Sequence, residues 1–596
     1  MNKASLGFSV PGLAICLLSG LSSMSAASDP ELAPYLVVAT RTPLGLDRVS
    51  PSASYVGAEE MEQWQDRSLT DVLLREPGMV LSVNGTPGST SGVFVRGANS
   101  DQTSIFLDGR RMSPAFSGQY DLESLSVDNL HSVQILKGAS SVNYGSSGIG
   151  GVIDLRSGPV LGRDSRGGSV SGEIGSNAYR RAAVKAAASS EDWGLSVGGS
   201  VLHTDNERDN DDFDNEALYS RFEYKLAEAL TFEILGNYAA TDKEFLSFGS
   251  PVASETENWL LSPGLRYATD ELTLHGFYSR SEFEYLLPAF ATENLLVSDE
   301  LSLQVDYSVN DETLLTVGGL YRNDELESKG FYRNRAEQHG AFAQMLWRTS
   351  ERLEVRTGVR YDDYTDYDES LTGNLEVVLH VPDSDLSVFA KIATSYAPPS
   401  AQNLAYDSNP VATPVNPEKS LSYEIGLKNT FRDDQVEFSL VAFRNEADDL
   451  ILYDSNTFDI LNVGEATTEG IEYSLGYKPV RKLDIGLGYT YLTAENDSDG
   501  TRLIRRPRHT LQLSADYAFT DSFRAGVSGL GYFDREEPVT VDLEDFFVVR
   551  LVADWAIDGR WTAFARVENL LDESYEPVAG YPALGRSGYL GLRAEF

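Results

Sequence analysis

Residues 483–492 read LDIGLGYTYL, and this stretch decides the fold class. Apolar or aromatic residues occupy every second position, whereas Asp, Gly and Thr occupy the positions between them. Alternation with a period of two predicts a β-strand with one face toward an apolar phase and the other toward water. Residues 510–519, 353–361 and 386–394 repeat the pattern.

The alternating unit recurs from about residue 160 to the end of the chain, separated by turns or by acidic loops rich in Gly and Asn. A soluble antiparallel sheet alternates equally well, but its strands usually have about five or six residues. The runs here have about ten, the length that a tilted strand needs to cross a membrane. The pattern therefore favours a transmembrane β-barrel.

The composition excludes several function classes. Asp and Glu number 90 against 48 Lys and Arg, which gives a net charge of -42. Such an excess of carboxylates disfavours nucleic acid as a partner, because binding phosphates requires clustered basic residues.

After the first 30 residues no apolar run is long enough for a transmembrane helix. A spanning protein must then be a closed barrel, since every backbone amide in hydrocarbon needs a partner.

The N-terminus predicts export. Lys3 precedes an apolar run at 6–21, and small residues at 25–27 suit signal peptidase, so we expect a signal peptide over residues 1–27, cleaved after Ala27. A membrane anchor is the alternative, but it needs about 20 apolar residues, and this run is shorter and interrupted. The only cysteine, Cys16, lies inside the predicted signal. A thiol catalyst or a cysteine-ligated metal is therefore not expected in the mature chain.

Residues 49–160 follow a different pattern. Short helices are predicted at 59–64 and 69–75, the second after Ser68 as N-cap, and short apolar strands at 92–96, 103–107 and 133–136. This indicates a compact mixed α/β domain in front of the barrel.

Ordered motifs in this domain resemble the TonB-dependent receptor family. They are LTDVL at 69–73, EPG at 76–78, VFVRG at 93–97, FLDG at 106–109, LKG at 136–138 and YGSSGIGGVI at 144–153. The resemblance covers nearly the whole mature chain, with Ala139 and Asp154 as departures from the family pattern. It implies an all-β outer-membrane protein, an antiparallel barrel of about 22 strands over residues 161–596 with the α/β plug of residues 49–160 inside it.

The same resemblance implies the partners and the kind of activity. It implies that the protein imports a scarce nutrient across the outer membrane and is not an enzyme. The implied partners are TonB with its inner-membrane energising complex, and the outer membrane with its lipopolysaccharide. The final residues 589–596, YLGLRAEF, resemble the closing strand that the outer-membrane assembly machinery recognises. An ordinary edge strand is the alternative for this segment.

Residues 28–48 are predicted to form a periplasmic segment, with no further domain before it. Its residues 35–41 resemble a TonB box, which we assign to Leu36, Val37, Val38, Ala39 and Thr40. An exposed, β-branched, extended segment can add as a strand to the sheet edge of a partner. A buried strand is the alternative interpretation.

The family also places basic plug residues opposite barrel carboxylates, because an unpaired buried charge is costly. We interpret the matching positions as a plug latch, with solvated wall charges as the alternative. The latch residues are Arg96, Lys137, Glu424 and Glu472.

Within the family, several stretches resemble cobalamin receptors: WQDRSLTDVLLR at 64–75, RGANS at 96–100, NPEKS at 416–420, IRRP at 504–507 and VENLLDESYE at 567–576. We therefore expect a corrinoid cargo, bound by two outward plug loops at 84–91 and 112–120. The expected ligand-binding residues are Ser89, Thr90, Phe116, Ser117, Gln119 and Tyr120.

No cofactor is expected to be required, but DNDDF at 209–213 falls where cobalamin receptors have a calcium-binding loop. Calcium prefers several oxygen ligands, so closely spaced carboxylates suit it. The candidate ligands are Asp209, Asp211, Asp212 and Asp242, with a solvated acidic loop as the alternative.

Other cargoes and classes remain as alternatives. A ferric siderophore is the main competing cargo, although many are anionic and a carboxylate-rich mouth should repel them. Haem is disfavoured because residues 396–416, where the family's haem receptors carry histidine, contain none. A passive porin would lack the plug and the TonB box. For an outer-membrane hydrolase, no nucleophile with a nearby histidine and acid can be assembled.

Overall fold

The computed structural model describes residues 35–38, 41–45, 48, 50–158, 160, 166–247, 250–407, 415–432, 435–454, 459–537 and 543–596. The predicted signal peptide, with Cys16, and the box residues Ala39 and Thr40 lie outside the described residues. None of the described helices is both long enough and apolar enough to cross a membrane.

The plug and the segment before it form small sheets with short helices. Their elements are β1 (Tyr35–Leu36), β2 (Leu44–Gly45), β3 (Ala53–Gly57), α1 (Ala58–Gln63), α2 (Leu69–Leu73), β4 (Met79–Val83), β5 (Ser91–Val95), a 3₁₀ helix (Ser100–Gln102), β6 (Thr103–Leu107), β7 (Arg110–Arg111), β8 (Ser132–Lys137), α3 (Ser141–Tyr144) and β9 (Gly151–Arg156). The main sheet has the order β3-β8-β9-β6-β7, and β4 pairs with β5. Its core is apolar and includes Leu69, Val72, Ile105, Val133 and Ile153.

The rest of the described chain forms one closed antiparallel barrel of 22 strands. The strands are β10 (Arg166–Gly175), β11 (Arg180–Ser189), β12 (Trp193–Thr204), β13 (Phe213–Ala227), β14 (Leu230–Ser247), β15 (Ser250–Ala268), β16 (Leu272–Leu287), β17 (Thr292–Asn310), β18 (Thr313–Ser328), β19 (Tyr332–Ser350), β20 (Leu353–Tyr364), β21 (Ser370–His380), β22 (Ser387–Ala397), β23 (Glu418–Phe431), β24 (Val436–Asp454), β25 (Asp459–Val480), β26 (Leu483–Asn496), the short β27 (Thr501–Arg502) in a loop, β28 (His509–Ala518), β29 (Phe523–Phe533), β30 (Phe546–Ala556), β31 (Trp561–Glu568) and β32 (Ser587–Glu595). The loops between them carry a 3₁₀ helix (Pro288–Phe290) and helix α4 (Ala401–Tyr406).

The two ends of the barrel differ in the length of their connections. At the end where β10 begins and β32 finishes, the turns are short, whereas the other end carries long loops such as the one between β31 and β32. Outer-membrane barrels have short periplasmic turns and longer extracellular loops. We therefore refer to the inner and the outer end. β32 pairs with both β31 and β10, so the predicted closing strand does close the barrel.

The alternation predicted from residues 483–492 is confirmed. Thr490 Oγ1 accepts a hydrogen bond from the plug amide of Gly78 at 2.9 Å, and Gln512 Nε2 donates to the plug carbonyl of Glu76 at 3.1 Å. These polar side chains point inward, while their apolar neighbours Leu513 and Tyr517 are exposed on the outer surface.

Many strands are longer than the ten-residue runs predicted from sequence, and β25 has 22 residues. A strand of this barrel alternates only where its two faces meet different surroundings, with lipid on one side and the plug or water on the other. Beyond the apolar band both faces meet water, so the acidic outer ends of these strands carry no such pattern.

The plug was predicted less completely. The two helices and β5, β6 and β8 lie close to their expected positions, but β3, β4 and β9 were not predicted. In β9 every residue except the last is buried, so no alternation marks it as a strand. β9 ends at Arg156 and β10 begins at Arg166, on either side of the predicted domain boundary at 160.

Candidate functional site

Arg96 lies at the centre of a buried ion cluster between plug and barrel. Its Nε and Nη2 donate to the two carboxylate oxygens of Glu472 at 2.8 and 2.9 Å, and its Nη1 donates to Glu424 Oε2 at 2.8 Å. Arg96 is only 4% exposed. Burial by itself would lower the pKa of Arg96, but the two glutamates raise it above its ordinary value. The arginine therefore stays charged and depends on both barrel carboxylates.

Lys137 reaches the same cluster, so the structure brings all four predicted latch residues together. Its Nζ lies 3.7 Å from Glu472 Oε2 and donates to the carbonyl of Pro77 at 2.9 Å. Gly78 follows Pro77 in the chain and has a φ of +79°. A Cβ atom at that position would lie 2.0 Å from Glu472 Oε1. The glycine of the EPG motif therefore leaves room for the carboxylate that binds Arg96.

Two members of the cluster were missed at the sequence level. Lys391 Nζ lies 3.1 Å from Glu424 Oε1, and the hydroxyl of Ser52 donates to Glu424 Oε2. Lys391 pairs directly opposite Glu424 in the register of β22 and β23. Opposite charges that face each other on one side of a sheet interact, but this register becomes visible only in the folded sheet, so the sequence carried no signal for Lys391.

A second plug–barrel contact involves the segment before α2. Arg550 and Arg566, on β30 and β31, both donate to the carbonyl of Gln65, at 3.1 and 3.0 Å. Glu173 on β10 lies 3.1 Å from Arg566 Nη2 and 2.8 Å from Arg67 Nε. The stretch at 64–75, which resembles cobalamin receptors, therefore lies partly at the plug–barrel interface rather than wholly at a ligand surface.

The predicted TonB box is not an exposed segment in this structure, which corrects that part of the prediction. Leu36 is 2% and Val38 0% exposed. β1 pairs with β2, and the amides of Val37 and Val38 donate to Gln134 Oε1 at 2.8 and 3.3 Å. The reason is apolar burial, since both side chains pack in one cluster with plug residues Phe106, Leu136 and Val152. A partner strand could add here only after release of this segment.

The two plug loops expected to bind ligand both lie at the outer end, but Tyr120 is not available there. Tyr120 is 7% exposed and belongs to the plug core, with its hydroxyl donating to the carbonyl of Met112 at 3.3 Å. A tyrosine with a local acceptor can bury its ring, which corrects the prediction that its ring faces the cargo. The other five candidates keep some exposure: Thr90 is exposed, and Ser89, Phe116, Ser117 and Gln119 are half-buried.

The barrel covers part of the second loop. The amide of Gln402, in α4, donates to the carbonyl of Phe116 at 2.9 Å. Ala115 packs beside Leu404 of the same helix in a cluster with Phe283 and Leu296 of the wall. Access to loop 112–120 from outside is therefore limited by α4.

The four candidate calcium ligands do not form one site. Asp211 is buried, with Lys243 Nζ 2.7 Å from its Oδ1, whereas Asp209 is exposed. Asp242 precedes Lys243 in β14, and successive side chains of a strand point to opposite faces, so Asp242 lies on the outside of the wall. Within the described part of the chain, no three His, Cys, Asp or Glu side chains are grouped to hold a metal. This arrangement does not fit a calcium ion shared by the four aspartates.

A cavity of about 720 Å³ separates part of the plug from the wall. Its lining runs from Phe213 and Leu584 near the outer end to Tyr55 and Lys428 near the inner end. Along this side the plug is not packed tightly against the barrel. A shift of the plug would therefore widen a gap that already exists.

A 22-strand barrel that contains a separate domain, tied to the wall by buried charges, has the architecture of a plugged outer-membrane barrel rather than an open pore. The family model "TonB dependent receptor-like, beta-barrel" matches residues 206–570, and "TonB-dependent Receptor Plug Domain" matches residues 46–152. The chain belongs to the TonB-dependent receptor family. It is thus an outer-membrane receptor that works with TonB and binds a nutrient ligand, and it is not an enzyme.

Individual relatives differ in their cargo. The chain is 24% identical to the vitamin B12 transporter BtuB of Photobacterium profundum, over 98% of both chains. Among solved structures, it is similar to the ferripyoverdine receptor of Pseudomonas aeruginosa, with a TM-score of 0.81, 17% identity, and coverage of 94% of this chain and 89% of that one. The siderophore receptor PirA of Acinetobacter baumannii gives a TM-score of 0.79 at 16% identity, covering 92% and 98%. At these identities the solved structures show the fold alone.

Proposed function

We propose that this receptor imports a corrinoid, with cobalamin as the leading candidate. The observation that carries the proposal is the similarity to a vitamin B12 transporter over 98% of both chains. The net charge of -42 gives further support, because corrinoids carry little net charge whereas many ferric siderophores are anionic. A ferric siderophore remains the competing cargo, and a neutral one would escape the charge argument.

The cargo would bind at the outer end over plug loops 84–91 and 112–120. Phe116 offers apolar surface to a corrin-like ring face, and Ser89, Ser117 and Gln119 can hydrogen-bond amide side groups. Thr90 is exposed beside them. Few charged residues are needed for such a ligand, because affinity for a large neutral molecule comes from shape, apolar contact and a few placed polar groups.

Import would then require two releases. The segment 36–40 has to leave Gln134 before TonB can add a strand to it. Force on this segment would next separate Arg96 from Glu424 and Glu472, since the latch holds the plug to the wall. With the latch open, the gap beside the plug could widen into a passage.

Equilibrium binding of the purified protein tests the cargo. Cyanocobalamin and a panel of ferric siderophores, including a neutral one, would be titrated with and without calcium. Saturable binding of cyanocobalamin with no binding of the siderophores supports the proposal. If the protein binds a ferric siderophore and ignores cyanocobalamin, the corrinoid assignment fails, while membership of the receptor family is unaffected.

A further inference from the structure

Four oxygen atoms surround the ammonium group of Lys243 at the outer end of the barrel. Its Nζ lies 2.7 Å from Asp211 Oδ1, 3.1 Å from the Asp211 carbonyl oxygen, 3.1 Å from the Pro87 carbonyl oxygen and 3.4 Å from Thr86 Oγ1. Lys243 is only 6% exposed. We call this group of residues the lysine cage. It joins plug loop 84–91 to the hairpin between β12 and β13.

The oxygens of the lysine cage are also linked by hydrogen bonds to one another and to Asn206. The hydroxyl of Thr86 donates to the carboxylate of Asp211, with both oxygens at 2.8 Å. Asn206 Nδ2 donates to the carbonyls of Pro87 and Asp211, at 3.1 and 2.7 Å, so the same two oxygens are held from a second side. The oxygen positions are therefore set by both domains together.

Close packing seals the contact next to the cage. Gly88 has a φ of +82°, and a Cβ atom there would lie 2.2 Å from Cδ2 of Phe213. The ring of Phe213 thus occupies the space that any larger residue at position 88 would need. The plug loop and the hairpin are therefore in close contact at this point.

We propose that Lys243 is a tethered cation that docks the hairpin at 204–213 onto plug loop 84–91 without a bound metal. A carboxylate, two carbonyls and a hydroxyl are the donors that a hard cation such as calcium prefers. Here a compact ammonium on a flexible stem occupies their centre. The docking is then independent of free calcium, and this inference does not depend on which cargo the receptor imports.

A variant without the ammonium should accept an external cation. Lys243→Ala keeps every oxygen donor of the cage but removes the positive charge that holds these oxygens together beside Asp211. Calcium, or methylammonium as a substitute for the lost group, could then enter the cage. For an oxygen site of this kind on an extracellular surface we expect a calcium Kd of about 0.1–1 mM. Lys243→Met would fill the cage with an apolar side chain and should bind neither cation.

Distance measurement between two spin labels tests the docking. Thr90→Cys on the plug and Asp209→Cys on the hairpin both replace exposed residues, and Cys16 is removed with the predicted signal peptide. With native Lys243 we expect one narrow distance distribution in EDTA and in calcium. Lys243→Ala should broaden it in EDTA, and calcium or methylammonium should restore it. Asp242→Ala is the matched control, because Asp242 is the neighbour on the opposite face of β14.

Two outcomes would overturn the proposal. A narrow distribution for Lys243→Ala in EDTA would mean that the ammonium does not hold the contact. Broadening by EDTA in the protein with native Lys243 would show that a bound metal holds the hairpin, as the calcium prediction requires. This second measurement needs no substitution at Lys243, so the test stands even if the variants fold poorly. Barrel folding of each variant is checked by its heat-dependent gel mobility.

Discussion

The latch and the lysine cage attach the same plug to the same barrel with opposite chemistry. At the latch the plug supplies the cation, Arg96, and the barrel supplies two buried carboxylates. At the cage the barrel supplies the cation, Lys243, together with its own counter-ion Asp211, while the plug contributes only neutral oxygens. The charge of the cage is therefore balanced within the barrel, whereas the plug cation Arg96 is balanced by carboxylates across the interface.

This difference predicts which contact retains the plug. Removing one partner of a buried ion pair costs about 3–5 kcal/mol, because the other charge stays buried and unpaired. A hydrogen bond between a charged and a neutral group contributes less, about 1.5–3 kcal/mol. Departure of the plug would break ion pairs at the latch, whereas at the cage it would break hydrogen bonds between one charged and one neutral partner and leave the Lys243–Asp211 pair intact. We therefore expect the latch to determine plug retention and the cage to determine the position of the outer loop.

The largest effect is expected at the predicted TonB box, the segment on which TonB would pull. Val37→Pro removes an amide that a partner strand would need, so uptake should be abolished while ligand binding is preserved. Uptake of labelled cobalamin by cells and binding by purified protein are the two measurements. Val37→Ala is the control, since it keeps the amide. Continued uptake by the proline variant would show that residues 36–40 are not the TonB box.

The next effect is leakage through a broken latch. Arg96→Ala should loosen the plug, because Glu472 loses its bidentate partner and Glu424 loses its ion pair to the plug, and the permeability of reconstituted membranes to small solutes should rise. Arg444→Ala provides a matched control, since Arg444 forms only exposed surface pairs. If the permeability equals that of the parent protein, the four latch residues are ordinary wall charges and do not hold the plug.

Arg96→Lys separates charge from geometry in the same cluster. A lysine keeps the positive charge but cannot bind Glu472 through two nitrogens at once. We expect leakage between that of the parent and that of Arg96→Ala, measured in the same permeability assay. Leakage as high as in the alanine variant would mean that the paired hydrogen bonds, rather than the charge, hold the plug.

The smallest effect is expected at residues 37 and 38, whose backbone amides donate to Gln134 at the inner end of the barrel. Gln134→Ala removes the acceptor of the Val37 and Val38 amides, at a cost of about 1 kcal/mol. When Val38→Cys is introduced as a labelling site, the rate of thiol labelling at position 38 without ligand should therefore be severalfold higher in Gln134→Ala than in the parent protein. Ser132→Ala, which removes a hydroxyl that accepts a hydrogen bond from Gln134 Nε2, should label at the parent rate. Equal rates in all three proteins would show that Gln134 does not restrain the segment.

The sequence by itself determined the barrel, its closing strand and the existence of the plug. Alternation at residues 483–492 sets which side chains face lipid, because the period of a strand is fixed by its covalent geometry. The family motifs identified Arg96, Lys137, Glu424 and Glu472, and the structure brings them within ion-pair distance. Alternation repeats within each strand, and the family motifs occur in a fixed order along the chain. Both can therefore be recognised in a single sequence.

Only the tertiary structure decided which neighbours each polar residue meets. Asp211 and Asp242 look equivalent in sequence, yet one lies inside the wall beside Lys243 and the other outside it. Tyr120 and Leu36 were expected at surfaces but are buried, because apolar side chains pack wherever a complementary surface is available. Strand register and the docking of two domains set these contacts between residues far apart in the chain, and no local pattern encodes them.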